Sequence, residues 1–112
     1  MKVAEVKNTQ SKPNPHGVDV RNLSDTDSAQ VVHITLQPGE LLKKHITPVD
    51  VVFYVLEGRA TVEIGEERME AGADTLIESP ARVPHRLMNN GTVQARVLVV
   101  KAPRPKDTTK LL

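Results

Sequence analysis

The chain has 112 residues, a formal net charge of +1, no cysteine, and one phenylalanine and one tyrosine as its only aromatics. That length fits one domain, and the missing cysteines exclude disulfides, thiolate metal ligands and a cysteine nucleophile. Near-neutral charge and so few rings exclude a stacking platform for single-stranded nucleic acid, so no nucleic-acid partner is expected.

In chain order, "MKVAEVKNTQ" holds no apolar core of a secretory leader, and no later apolar run reaches bilayer length. A cytoplasmic location without membrane contact is the default expectation. "SKPNPHG" reads as a loop carrying His16. "VDVRNL" alternates, with Val18, Val20 and Asn22 on one side, as a short edge strand. Residues 1–30 thus form an N-terminal extension of loops and one edge strand. From residue 31 the pattern is strongly β. "VVHITLQ" sets Val32, Ile34 and Leu36 on one face, with His33 opposite, toward solvent or a subunit contact. "LLKKHI" is a short strand, "TPVD" a connection, and "VVFYVLEG" a strand apolar on both faces. "RATVEIGEERMEAG" is a hairpin about Gly65-Glu66, pairing Val62 with Met69 and Glu63 with Arg68. "DTLIES" is a strand and "PARVPH" a loop. "HRLMN" and "TVQARVLVVKA" follow as strands joined by a hairpin turn at Asn90-Gly91. The basic tail, 103–112, is expected to fray. Short strands with frequent turns and no helical period imply an all-β sandwich or closed barrel.

Two spacings stand out. Gly39 precedes His45 by five intervening residues, and Val51 precedes Gly58 by six. Farther on, "PARVPHRLMN" holds Pro80, Arg82, His85 and Asn89. Over residues 31–101 this resembles the two motifs of the cupins, antiparallel jelly-roll β-barrels, with the inter-motif hairpin in its usual place. The resemblance implies a single cupin barrel over 31–102. In metal-binding cupins the ligands are two histidines and a glutamate of the first motif and one histidine of the second. Position by position, His45 and His85 are kept, Thr47 replaces the second histidine, Val51 replaces the glutamate, and Arg82 replaces a glycine.

The resemblance therefore implies a weak or partial divalent ion (Zn²⁺, Mn²⁺ or Ni²⁺) at His45 and His85. A transition metal wants three or four protein ligands, and Asp50 could serve as a third only through a bulge, because it alternates with Val51. Otherwise Asp50 bonds nearby amides, Thr47 is a turn residue, and either histidine is hydrogen-bonded to a carbonyl. Val51, Phe53 and Val55 share a face and, with Thr47, would wall a pocket or fill a core. Ser79 shows no base beside it. A histidine pair in an apolar mouth can act as general acid and base.

Two functions fit. One is a small-molecule-binding cupin whose mouth holds the ligand. The other is a non-enzymatic assembly module, an emptied barrel working as a homodimer. The strands "VVFYVLEG" and "VLVVKA", apolar on both faces, need outer cover that a second copy would supply.

Overall fold

The computed structural model describes residues 1–106 and 110–112. A 3-10 turn at Val6–Asn8 precedes ten strands: β1 (Asp19–Asp25), β2 (Gln30–Leu36), β3 (His45–Ile46), β4 (Asp50–Glu57), β5 (Arg59–Ile64), β6 (Glu67–Gly72), β7 (Thr75–Ser79), β8 (His85–Met88), β9 (Ala95–Ala102) and β10 (Lys110–Leu111). They form two five-stranded antiparallel sheets, ordered β1-β2-β9-β4-β7 and β10-β3-β8-β5-β6. This is the all-β jelly-roll barrel expected. Among the described residues no helix is long and apolar enough to cross a membrane.

Strand alternation decides what enters the barrel. On the first sheet four inward rows lie one above another. The lowest joins Leu36 and Ala95, the next Val20, Ile34, Val97, Val55 and Thr75, and the one above it Asn22, Val32, Val99, Phe53 and Ile77. The topmost joins Gln30, Lys101, Val51 and Ser79. The barrel is thus apolar in depth and polar at one rim. Leu36, Val55, Val97 and Leu87 are fully buried at 0% exposure, and each such side chain contributes about 1.5–3 kcal/mol.

The outer faces differ. On the second sheet Glu63 takes Arg86 at 3.1 Å and Arg68 at 3.2 Å, a cross-strand charge ladder. On the first, Val52, Tyr54, Leu56, Leu98 and Val100 are half-buried, so a single chain covers that apolar face only in part. His33, expected to face outward to solvent or a subunit contact, is instead 1% exposed. Its Nε2 accepts a bond from Arg96 Nε at 3.1 Å, and Arg21, its cross-strand neighbour, reaches the Val6 carbonyl.

The hairpin register is as read: Val62 opposes Met69 and Glu63 opposes Arg68, about a Gly65 at φ +57°. Three expectations need correction. Asn90-Gly91 does not close a hairpin, because β8 and β9 belong to different sheets. Asn89 shapes that crossover instead. Its side-chain amide donates to the Leu36 and Val93 carbonyls and accepts from the Gly91 amide, all within 3.0 Å. The "LLKKHI" strand shrinks to His45–Ile46, with Leu41 making one isolated bridge to Met88. In the tail expected to fray, Lys110–Leu111 pairs with β3; residues 107–109 of that tail lie outside the described residues.

The motif glycine at 58 has a steric cause. Its φ is +74°, and an added Cβ would stand 2.3 Å from the Gln94 carbonyl oxygen. Arg82, at the motif's other glycine position, also stands at positive φ, +66°. Gly58→Ala is expected to lower stability by about 2–4 kcal/mol through clash and left-handed strain together. Gly17→Ala, at φ +69° with open space around it, should cost only about 1–2 kcal/mol. Urea denaturation of both variants checks the difference.

Candidate functional site

The polar rim opens into a cavity of about 400 Å³. Its apolar wall is Val32, Ile34, Leu42, Val51, Phe53 and Val99, and its polar groups include Asn22, Gln30, Lys101 and the histidines 16, 45 and 85. Of the pocket residues read from sequence, Val51 and Phe53 line it. Val55 lies a row below Phe53, in the core. Thr47 is 1% exposed and backs His85, its hydroxyl 3.3 Å from His85 Nε2.

His45 and His85 meet because β3 and β8 pair at that one position. Their Nε2 atoms lie 3.1 Å apart, and the rings stand edge to face at 77°. The flanking groups assign the protons. His45 Nδ1 lies 2.7 Å from the Lys43 carbonyl, which only accepts, so Nδ1 carries the proton and Nε2 is bare. His85 Nε2–H then donates to His45 Nε2. His85 Nδ1, bare in turn, accepts the Ser79 hydroxyl at 2.7 Å. A neutral relay results, running from Ser79 through His85 and His45 to the backbone. Ser79, expected to have no base beside it, is therefore bonded to a buried histidine.

Burial is the main cause of the perturbed titrations. His85 is pushed down to about 4, first by burial and then by the charges of His45 and Lys101. His16 is also held at about 4, by burial and then by His45, Lys43 and Lys101. His45 is lowered by burial, against the raising effect of the Lys43 carbonyl. Lys101 is lowered by burial alone.

The donor set does not fit a firmly held metal ion. Asp50 is not a third ligand: it lies on the outer face of β4, exposed, and its carboxylate accepts the Ala81 amide at 2.8 Å. No bulge turns it inward, since Asp50 and Val51 pair regularly with Ala102 and Lys101. Val51 offers no donor atom. Among the described residues no three His, Cys, Asp or Glu groups converge, and Lys101 adds positive charge to the same rim.

Sequence reading missed His16, Lys101 and Ser79 as site residues. Lys101 was within reach, since alternation along "VLVVK" puts it on the face of Val97 and Val99. His16 gave no signal: a loop of 12–16 folds over the mouth and sets its ring 5.3 Å from that of His45. The Lys43 backbone holds both rings, its amide donating to His16 Nδ1 at 2.9 Å.

A small barrel with paired histidines at its mouth defines a class, and comparison with known proteins gives the same one. The cupin-domain family model matches residues 32–101, and the chain belongs to that family. It is similar to TT1209 from Thermus thermophilus, with 30% identity, a TM-score of 0.81, and coverage of 94% of this chain and 100% of that one. The polyketide cyclase RemF from Streptomyces resistomycificus shares the fold at 19% identity, with a TM-score of 0.85 over 100% of this chain and 85% of that one. The tetracenomycin polyketide synthase protein TcmJ of Streptomyces glaucescens is 35% identical over 78 residues, 66% of this chain and 52% of TcmJ. The chain spans about half the length of the curated relatives it matches.

A lowered histidine pKa makes the unfolded chain the better proton binder between about 4 and 6.5, so stability is full above pH 6.5 and falls as pH drops toward 4. For buried His85 the loss is expected to reach up to about 3 kcal/mol. Urea midpoints from pH 7.5 to 4.5 should fall in the native protein, and fall less steeply in His85→Gln.

Proposed function

We propose that this cupin binds a small organic molecule with an apolar body in the barrel mouth. One observation carries the reading: the cavity of about 400 Å³ is apolar in depth and polar at the rim, where Asn22, Gln30, Lys101 and three histidines line it. Cavities of this size and lining suit drug-sized ligands. The names of RemF and TcmJ, both tied to polyketides, support a polyketide-like ligand. Any acid–base chemistry runs through the His85–His45 relay, and a divalent ion at that pair is weak.

Thermal-shift screening of one- and two-ring aromatic alcohols tests this. A true ligand stabilises the fold by about 2.7 kcal/mol at a hundred times its Kd, raising Tm by several degrees, and Asn22→Phe, which fills the cavity, should abolish the shift. Zn²⁺ in the same assay should bind with a Kd well above nanomolar and lose its effect in His45→Ala. Absence of any saturable shift by organic ligands would sink the reading.

A second reading has its own observation. The half-buried apolar outer face of β4 and β9 ends at Leu76, 53% exposed, and a second copy laid against it would form a homodimer. Sedimentation velocity at micromolar concentration should show a dimer that Leu76→Lys weakens; a monomer throughout counts against it.

A further inference from the structure

We propose that the mouth cavity is a receptor for an organic anion, a carboxylate or enolate on an apolar body, with Lys101 as its counter-charge. This rests on the small-molecule reading of the same cavity and names the ligand's chemical class. The register sets Lys101 on the inner face of β9, between Gln30 on one side and Val51 on the other. Its inward neighbours down the strand are Val99 and Val97, both buried. Among the described residues two lysines, 12 and 101, and three histidines line the cavity, and no aspartate or glutamate does. Among the described residues Lys101 takes part in no ion pair.

An ammonium there is part-buried and has no counter-charge among the described residues, and burial pushes its pKa down. An anion in the cavity supplies what is missing, and a charge-assisted bond to Lys101 is among the strong kinds. His16 gives a second donor. The Lys43 amide occupies its Nδ1, so the neutral ring carries its proton on Nε2, and no described residue accepts it. A cation would meet the opposite field, with two lysines and no carboxylate among the described lining residues. The apolar wall of Val32, Ile34, Phe53 and Val99 asks for a carbon skeleton behind the charge, which an inorganic anion lacks.

The probes are 2-naphthoate, 2-naphthamide as its neutral counterpart of the same shape, and inorganic phosphate. Calorimetric titration and thermal shift should show naphthoate binding at least about tenfold tighter than the amide, and phosphate giving no comparable stabilisation. In Lys101→Met the acid-to-amide ratio should collapse to about one, while the unliganded variant melts at or above the native protein because a buried charge is gone. Lys101→Gln serves the same comparison if the methionine variant does not fold. Equal binding of acid and amide by the native protein, or a preference that survives in the Lys101 variants, overturns the charge assignment and leaves the pocket reading standing. Phosphate stabilising as strongly as naphthoate overturns the organic class. Binding of neither aromatic probe overturns both this inference and the pocket reading.

Discussion

A single proton between two imidazoles governs the open end of this barrel. Nε2 atoms 3.1 Å apart cannot both accept and cannot both donate, so one ring donates and the other accepts. The Lys43 carbonyl, which only accepts, settles which, and the Ser79 hydroxyl donates to the nitrogen left bare. Because Ser79 ends β7 of one sheet and His85 begins β8 of the other, the relay is also a polar tie between the sheets, at the rim where apolar packing stops. Buried polar networks of this kind stabilise only when every member is satisfied, and each atom of this chain of four has its partner.

That tie constrains the chemistry around it. The histidines are held neutral by burial, no carboxylate lines the rim among the described residues, and the strand beside them contributes Lys101. In the row where a metal-binding cupin would present its glutamate stands Val51, flanked in register by Lys101 and Ser79. Glycine at 58 and asparagine at 89 survive for a different reason: each holds backbone at a turn or crossover, a demand of the barrel itself that does not depend on what the mouth binds.

Much of the architecture was legible because β-structure writes its geometry in period two. Val32, Ile34 and Leu36 on one face, and Val62 opposite Met69, followed from alternation and a two-residue turn. Asn90-Gly91 misled because turn chemistry is local. The dipeptide marks a reversal, but whether the next strand pairs with the last or crosses to the other sheet depends on long-range register. His33 was expected to face solvent or a subunit contact and is buried instead; that burial depends on long side chains from neighbouring strands that no local pattern reveals.

The sequence by itself determined the class of fold, the motif positions of His45 and His85, and the loss of carboxylate at 51, since residue identity and spacing are enough for those. Only the tertiary structure decided that Asp50 turns away to cap the Ala81 amide, that His16 swings in from a distant loop, and that Ser79 meets His85. It alone set Lys101 beside Val51 in one inward row. Those are contacts between strands distant in the chain, and which residues then share the barrel mouth is fixed by sheet order and register, which local sequence does not encode.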